Sequence, residues 1–522
     1  MEADFVVVGA GVAGTVVASA LAAPGRTVVL IEEGERREHP YARVPASALV
    51  APARRVSSRN VVSEPDPTSA GRALRWRAPR GLCAGRTLDG LVYERGFAAE
   101  FDEWATLGAR GWSYADVEPV FARLEAGDGA GRPGIAQTTA VDSHPLTAAF
   151  LEACARNTKA ARPDTACMRS AQAARLMLRD GRRETPADLW LRPRLRDREI
   201  QLLTRTRVRA LQLDGRRCIG VLARRDGQEI QIRARAEVLL AAGVFGSPKL
   251  LMVSGIGPPG LLESAGISLR HALPGVGGNL SDHAAVSVAA RTRVKGIARG
   301  DRAAAGALLG YLRWRASRLG PFALPSVLAT GWAASADASD ADIGITLTPA
   351  ALLHALGDEA LSAEHGLTIT VHGRRPRSRG RRRLSGGGLD DPLKVEHLLL
   401  SDPDEMRILC AGTRLARQLC ATAPLEALVA GELEPGDSRQ SEADLADAIR
   451  RCARPLGHAG GTCRMGAAGD PDAVVDPRLK VHGIRGLRVL DASVMPRMPG
   501  GSPGAAAIMV AARAAEFIRE ER

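Results

Sequence analysis

The tightest constraint on the fold of this chain lies in residues 4–34, which read DFVVVGAGVAGTVVASALAAPGRTVVLIEEG. An apolar strand leads into a glycine-rich turn and an Ala/Val-rich helix, which ends at Pro24-Gly25. A second apolar strand follows and ends at Glu32. A strand, helix and strand in such quick succession predict a parallel sheet with the helix packed on one face.

The turn carries three glycines at the spacing of a dinucleotide-binding fingerprint, Gly9, Gly11 and Gly14. Gly9 allows the tight turn, Gly11 lets the backbone approach a pyrophosphate, and Gly14 lets the helix pack closely on the strand. The helix N-terminus then faces the phosphates with its unpaired N–H groups. Glu32 stands where a carboxylate accepts hydrogen bonds from a ribose. The segment predicts dinucleotide binding but does not decide between FAD and NAD.

Composition excludes several other classes of protein. The formal net charge is +13, but the excess is spread along the chain and aromatic residues make up only 3% of it, so we expect no nucleic-acid partner. The chain has no apolar run of about eighteen residues and opens directly on a strand, which predicts a cytoplasmic protein without membrane insertion. Eight scattered cysteines show no metal-ligand spacing, so no metal site is expected.

The densest basic cluster, RRPRSRGRRR at residues 374–383, has two interpretations. It is either a solvated strand edge or loop, or a patch that meets an anion, a partner or a polar substrate.

Five further segments follow one another in a recognisable order. The chain thereby resembles the glucose-methanol-choline (GMC) oxidoreductase family, and the first and third segments correspond to the two signature stretches of that family. They are GLVYERG (residues 90–96), EFDEWATLGARGWSYADVEPVFARLE (100–125), AAGVFGSPKLLMVSGIGP (241–258), LPGVGGNLSDH (273–283) and GLRVLDASVMP (486–496).

The resemblance implies an α/β (α+β) fold with a Rossmann-like FAD-binding domain and a discontinuous, sheet-based substrate domain. Residues 1–290 would form mainly the FAD-binding domain, with inserted substrate-domain segments. Residues 291–470 would form mainly the substrate domain, and residues 471–522 would return to the FAD-binding domain. The third segment itself predicts a strand at residues 238–241, a turn at Gly243 and a helix that opens near Ser247-Pro248.

One histidine is the candidate catalytic base. In the family a histidine followed by a GTC-like segment lies beside the reactive face of the flavin, and GHAGGTC places His458 there. Oxidation of an alcohol requires a base for the hydroxyl proton while hydride leaves the carbon for flavin N5. Without the resemblance, a single histidine in a glycine-rich turn is more often a structural residue.

The partner position of that histidine departs from the family pattern. The family has a second His or Asn some way after the first, and alignment of the C-terminal helix puts Ser502 there, in PGGSPG. A serine hydroxyl is shorter and would reach the substrate through a water or in a shifted pose. Alternatively, Ser502 is only the cap of the final helix.

The remaining cofactor residues also follow from the resemblance. Val208, in a predicted hairpin joined at Asp214-Gly215, would lie along the adenine. Asp491, Ala492 and Pro503 would lie next to the flavin end of FAD.

A second departure precedes Tyr93, where CAGRTLDG carries Arg86, and Asp89 in place of the usual Asn. An aspartate would repel the pyrophosphate unless Arg86 or another cation compensates its charge. No histidine or cysteine stands where some members bond FAD covalently, so we expect a non-covalent flavin.

Three functions remain open at this stage. The first is an FAD-dependent oxidoreductase that oxidises a hydroxyl group of a small molecule and passes electrons to oxygen or to another acceptor. The second is a different reaction on the same scaffold, such as a lyase, a decarboxylation or another tailoring step. The third is a flavin-binding protein that has lost catalysis.

Overall fold

Two seven-stranded sheets organise the computed structural model of the chain. The structure describes residues 1–36, 39–50, 58–127, 134–135, 138–139, 144–159, 166–354, 360–436, 438 and 441–521. In chain order the strands of the two sheets are β1 (Glu2–Val8), β2 (Val28–Ile31), β3 (Cys167–Ala173), β4 (Ile200–Leu203), β5 (Thr206–Asp214), β6 (Arg217–Arg225), β7 (Gln228–Leu240), β8 (Ala284–Thr292), β9 (Ala329–Ala334), β10 (Ile343–Thr348), β11 (Gly366–Gly373), β12 (Val429–Glu434), β13 (Arg454–Pro455) and β14 (Leu487–Val489).

The longer helices lie between and after these strands. They are α1 (Val12–Leu21), α2 (Ala98–Thr106), α3 (Tyr114–Ala126), α4 (Pro145–Arg156), α5 (Gly243–Val253), α6 (Ala304–Ser317), α7 (Pro403–Cys420), α8 (Glu442–Cys452) and α9 (Gly504–Glu520). Shorter helices span Ser47–Val50, Gly85–Leu88, Arg192–Arg196, Pro259–Ser264 and Leu425–Leu428, and two-stranded ribbons pair Ser58–Val62 with Arg75–Pro79 and Arg381–Leu384 with Leu393–Glu396.

The first sheet has the strand order β4-β2-β1-β7-β6-β5, with β14 beside the end of β7. Strand β2 pairs in parallel with β4 and β1, and β7 pairs in parallel with β1 and β14. Strands β5, β6 and β7 form an antiparallel meander. The hairpin predicted at Asp214-Gly215 is thereby confirmed. Helix α1 packs against α9, so the two ends of the chain share one core.

The second sheet is antiparallel and has the strand order β12-β8-β11-β10-β9-β3, with β13 paired to the start of β8. Apolar and polar residues alternate along its strands, and successive side chains point to opposite faces, so one face of the sheet is apolar and the other polar. The apolar face packs on α7, where a Cβ on Gly412 would lie 2.3 Å from Val371 Cγ1. The polar face carries, in two adjacent rows, Thr330, Trp332, Thr346, Thr370, His372 and Ser287.

The predicted fold class is confirmed: a parallel and mixed sheet with the glycine-rich turn stands next to an antiparallel sheet. The first sheet takes its strands from residues 2–31, 200–240 and 487–489, and the second from 167–173 and 284–455. The division of the chain into domain ranges stays a prediction.

One helix begins earlier than the sequence indicates. Helix α5 starts at Gly243 instead of near Ser247-Pro248, so Pro248 lies inside it. A proline has no N–H to donate to the carbonyl four residues earlier, here that of Val244. The hydroxyl of Thr462 donates to this carbonyl instead, at 2.9 Å, and this contact offsets the lost helical hydrogen bond.

Candidate active site

The glycine-rich turn has the shape that the sequence predicts. Gly9 has a φ of +100°, and a Cβ there would lie 2.4 Å from the carbonyl oxygen of Ala241 on the neighbouring strand. A Cβ on Gly14 would lie 1.8 Å from the oxygen of Gly9, so only glycine lets α1 pack this closely. Gly11, the N-cap of α1, would project a Cβ into open space and has no side-chain cap. The helix N-terminus is therefore accessible to a phosphate group.

Glu32 lies at the end of β2 and is buried under this turn. Its Oε2 accepts from the N–H of Ala10 at 2.9 Å, and its Oε1 accepts from the N–H groups of Gly34 and Gly81 at 2.8 Å each. Burial raises the pKa of Glu32, and the three N–H donors act in the opposite direction. The carboxylate thus joins three loops. Val208 lies near Glu32, because the N–H of Thr206 at the start of β5, two residues before Val208, donates to the Glu32 carbonyl.

The charge of Asp89 is compensated within the protein. Arg86 donates to its Oδ2 at 2.7 Å, and Arg183 approaches its Oδ1 at 3.1 Å. Both guanidinium groups are buried, and burial lowers the pKa of Arg183 to about 10. A Cβ on Gly504 would lie 2.3 Å from Nη1 of Arg86, so this cluster abuts the start of α9. Asp89 is therefore part of an ion cluster with Arg86 and Arg183, which compensates the charge that would otherwise repel a pyrophosphate.

Asp491 connects the end of β14 with the beginning of α5. Its Oδ2 accepts from the N–H of Gly243 at 2.9 Å and from the hydroxyl of Ser247 at 2.6 Å, while Oδ1 accepts from the N–H of Ser493 at 2.9 Å. Ala492 opens the turn that follows. Because this carboxylate accepts three hydrogen bonds, it fixes both segments relative to each other.

The segment of His458 crosses from one large sheet to the other. It leaves β13 at the edge of the second sheet and then runs beside the turn after β14, with Gly461 N–H donating to Ala492 and Cys463 N–H donating to Ser493. The contact of Thr462 with Val244 attaches the same segment to α5. His458 therefore lies where the two sheets meet.

A buried carboxylate holds the backbone of His458. Oδ1 of Asp282 accepts from the His458 N–H at 2.9 Å, and Oδ2 accepts from the indole N–H of Trp76 at 2.8 Å. Burial raises the pKa of Asp282 to about 7, although these donors act in the opposite direction. Asp282 was not among the residues singled out from the sequence.

Two further imidazoles surround the ring of His458. The ring of His283 is 5.2 Å away and that of His372 is 6.4 Å away, both nearly perpendicular to it. His283 Nε2 contacts the Arg374 carbonyl at 3.3 Å, and His372 Nε2 contacts the Gly500 carbonyl at 3.2 Å. Since a carbonyl only accepts, both rings carry their proton on Nε2.

All three imidazoles are neutral at physiological pH. Burial is the largest cause: it lowers the pKa of His372 to about 4 and that of His283 well below its usual value. Burial, His372 and Arg454 lower the pKa of His458 to about 3. Nδ1 of His458 is buried without a hydrogen-bond partner among the described residues, while the residue as a whole is partly exposed. A neutral imidazole has an unprotonated ring nitrogen that can accept a proton, and the lowered pKa makes His458 a weaker base than a solvent-exposed histidine.

The loop that carries Ser502 lies beside the three imidazoles, because His372 contacts its Gly500 carbonyl. Glu100 Oε2 accepts from the N–H of Gly500 at 2.9 Å, and its other oxygen accepts from Arg374 at 2.9 Å. With His372 on the Gly500 carbonyl, both polar backbone groups of Gly500 are engaged. The N-cap of α9 is Pro503 and carries no side-chain cap, so the structure does not place Ser502 in the capping position.

Glu94 is a second acidic residue at this loop. A Cβ on Gly501 would lie 2.4 Å from its Oε2, and its Oε1 is buried. Burial raises the pKa of Glu94. Thr330, on the polar face of the second sheet, lies beside Glu94, and its hydroxyl acts against burial by lowering the pKa of that carboxyl. Together they form a polar wall beside Ser502.

The basic cluster at residues 374–383 is divided between two environments. Arg377, Arg381 and Arg383 are exposed and pair with acidic neighbours, as a solvated segment would. Arg374 and Arg382 are buried. Arg374 pairs with Glu100 and stacks on Phe97, whereas the Arg382 guanidinium lies 4.5 Å from the centre of the Phe245 ring. A solvated edge is therefore wrong for these two residues.

Sequence reasoning missed His283, His372 and Glu94. His372 was accessible from the alternation in β11, LTITVHG, which puts Thr368, Thr370 and His372 on one face. Glu94 and His283 lie inside matched motifs but carry no pattern of their own. Among the described residues, no group of three or more His, Cys, Asp or Glu has the arrangement of a metal site, and no helix is long and apolar enough to span a membrane.

Comparisons with known proteins agree on one family. Two models described as GMC oxidoreductase match residues 3–285 and 376–511. An oxygen-dependent choline dehydrogenase of Brucella canis is 33% identical over 531 aligned positions, which cover 99% of this chain and 96% of the relative. An uncharacterised GMC-type oxidoreductase of Mycobacterium bovis is also 33% identical and covers 99% of each chain.

Solved structures share the fold over the whole chain. The crystal structure of pyridoxine 4-oxidase from Mesorbium loti superposes with a TM-score of 0.86 at 28% identity, and covers 100% of both chains. A fungal aryl-alcohol oxidase has a TM-score of 0.79 at 21% identity, covering 99% of each chain, and at that identity the likeness concerns the fold alone.

Proposed function

Because the chain belongs to the GMC oxidoreductase family, as its motif order predicts, we propose that it oxidises a hydroxyl group of a small molecule with His458 as the base. It is a GMC-type FAD oxidoreductase that acts on CH–OH groups. The observation that carries the proposal is the position of His458, which is partly exposed where the two sheets meet and is held there by the hydrogen bond from its backbone N–H to Asp282.

The residues of the glycine-rich turn fit FAD. Gly11, Gly85 and Gly243 each leave space where a Cβ would stand, and the N-terminus of α1 is open beside Gly11. Backbone N–H groups there would hold the pyrophosphate, and Glu32 would keep the turn in shape at the ribose end. Val208, Ala492 and Pro503 would line the rest of the cofactor, and Asp491 would position the backbone beside it.

When bound, FAD supplies the acceptor for the hydride. His458 would take the hydroxyl proton, and the negative charge that develops on the alcohol oxygen then helps the hydride to leave the carbon that carries it. The rings of His283 and His372 pack around that of His458 and keep it in place. Because both are neutral, they do not repel the positive charge that His458 gains with the proton. Ser502 and the partly buried Glu94 would hold the substrate oxygen and its polar substituents.

The proposal includes the finer points that the resemblance implies. FAD is bound without a covalent link, the substrate is a small molecule, and residues 1–290, 291–470 and 471–522 divide between the two domains as predicted. The polar face of the second sheet, with Thr330, Thr346 and Thr370, favours a substrate with several polar groups. The names of the relatives, choline dehydrogenase and pyridoxine 4-oxidase, are consistent with such a polar alcohol.

Two measurements on the purified protein test the proposal. Acid precipitation should release FAD into solution, and flavin that stays with the protein would contradict non-covalent binding. Anaerobic mixing with a panel of polar alcohols should bleach the flavin and yield the matching aldehyde or ketone. If the flavin is bound but no alcohol reduces it, the chain runs another reaction on this scaffold or has lost catalysis.

A further inference from the structure

Helix α6 exposes an unusual amount of apolar surface. Leu308, Leu309 and Leu312 are 58%, 68% and 52% exposed, and Leu319 just after the helix is 60% exposed. Leucine side chains are normally among the most buried in a protein. The three leucines of the helix form a patch, which we call the leucine patch, and exposed apolar patches of this kind mark interaction surfaces.

The opposite side of α6 is firmly packed on the protein, so the leucines are not exposed because the helix is loosely attached. Trp314 is buried, and its indole donates to the carbonyl of Gly181 at 3.1 Å. Gly310 lies so close to Phe322 that a Cβ would be 2.9 Å from the ring. Tyr311 packs in the same small core. The helix is held by one face and presents the leucines on the other.

Arginines flank the leucine patch on both sides. At about 100° per residue, the three helical leucines cover an arc of about 100°. Arg315 lies about 20° beyond one edge of this arc, and Arg313 about 40° beyond the other. Both side chains are exposed. The exposed side of α6 thus combines apolar area with positive charge at its borders, the two contributions that bind a protein surface to an anionic membrane.

The charge around the patch is not neutralised by the protein. Residues 303–320 contain no acidic residue. In the described part of the chain, no carboxylate forms an ion pair with Arg313, Arg315 or Arg318. Arg182 and Arg318 lie close enough to repel each other. The chain as a whole carries a formal charge of +13, so a negatively charged surface would be attracted both locally and over longer distances.

We propose that α6 attaches this protein to the surface of anionic lipid membranes, with the leucine patch between the acyl chains and the flanking arginines at the phosphate groups. Long arginine side chains reach outward from an apolar face and keep their charge at the headgroups. Such attachment is peripheral, so it requires no spanning helix. The acidic groups of a protein partner would pair with the arginines but would leave the leucines exposed. An anionic membrane offers phosphate groups to the arginines and acyl chains to the leucines.

Sedimentation with vesicles tests this attachment. The flavin-loaded protein is mixed with vesicles of phosphatidylcholine alone, or of phosphatidylcholine with phosphatidylglycerol. We expect binding to the anionic vesicles at least tenfold tighter than to the neutral ones, and weaker binding as salt is added. The combined variant Leu308→Ser, Leu309→Ser, Leu312→Ser should lose at least tenfold in affinity. The variant Arg313→Glu, Arg315→Glu should lose a similar factor.

Matched controls separate α6 from general properties of the surface. Leu269→Ser removes an exposed leucine elsewhere, and Arg196→Glu with Arg216→Glu makes the same change in net charge away from α6. These variants should bind vesicles nearly as the unaltered protein does, and all variants should retain FAD. Equal binding to both vesicle types, or α6 variants that bind as well as the controls, would overturn the proposal. So would a dimer that the leucine variant dissociates, since the patch would then join two copies.

Discussion

Ser502 lies on a loop that side chains fix on both sides. His372 and Glu100 hold Gly500, Glu94 lies against Gly501, and Arg86 lies against Gly504. The capping alternative is weakened because the helix has Pro503 as its N-cap. A hydroxyl on so rigid a loop is well placed to hydrogen-bond a substrate oxygen, which is the role that we propose for it.

Replacement of Ser502 by alanine tests this role. We expect Ser502→Ala to slow flavin reduction by several-fold to tens-fold, corresponding to about 1–2 kcal/mol for one lost hydrogen bond in a desolvated site. The melting temperature should stay unchanged, since no hydrogen bond within the described residues depends on the hydroxyl. Single-turnover reduction and a thermal melt on the same preparation provide both readouts. A lower melting temperature with unaltered reduction would favour a structural role instead.

At this scale the sequence indicated His458 and Ser502 as candidates, whose roles stay predictions, but it did not indicate the residues around them. The resemblance carries over residues that a motif marks, and His283 and His372 come from β-strand edges far apart in the chain. Their meeting depends on the register of β8 with β11, which pairs Ala285 with His372. Registers follow from the packed sheet and are not visible in one strand.

Among the helices and strands, α5 has an irregularity at Pro248 that attaches it to the His458 segment. Pro248 leaves the carbonyl of Val244 without its helical donor, and Thr462 from the His458 segment supplies one. The helix start was therefore placed too late from the sequence, because Pro248 suggested a first turn. The fingerprint at residues 4–34 was predicted correctly, since its strands, turn and helix are determined locally by apolar runs and glycines.

The connection predicts the effect of a nearly isosteric change. Thr462→Val keeps the shape of this fully buried side chain but leaves the Val244 carbonyl without a donor. We expect the free energy of unfolding to fall by about 1–3 kcal/mol, the cost of an unsatisfied buried polar group. Thr462→Ser keeps the hydroxyl and should lose less, apart from the missing methyl group. Denaturant titration of the two variants decides, and equal stability of the valine variant and the unaltered protein would contradict the contact.

For the whole molecule, the two sheets meet at a buried carboxylate that titrates near neutrality. The pKa of Asp282 rises from its usual value to about 7, because burial disfavours the charged form. A group with a raised pKa in the folded state contributes stability when protonated. This contribution is complete at low pH, below the unfolded value, and is lost as the pH rises through about 7.

Replacement of Asp282 by asparagine should therefore change the pH dependence of stability. We expect the unaltered protein to lose on the order of 3 kcal/mol of unfolding free energy from this group between about pH 4 and pH 8. Asp282→Asn does not titrate, so its stability should decline less over the same range, even if it is lower throughout. Denaturant unfolding of both flavin-loaded proteins at several pH values gives the slopes. Identical slopes would show that Asp282 keeps an ordinary pKa.

The proton transfer to His458 is the central claim, and anaerobic single-turnover reduction of the flavin by an alcohol substrate tests it most directly. His458→Ala should retain FAD but be reduced about 10²-fold more slowly or worse, the usual loss for a positioned base. The rate of the variant should recover as the pH is raised, because hydroxide then replaces the imidazole. A variant reduced as fast as the unaltered protein, or slowed by the same factor at every pH, would contradict the assignment of His458 as the base.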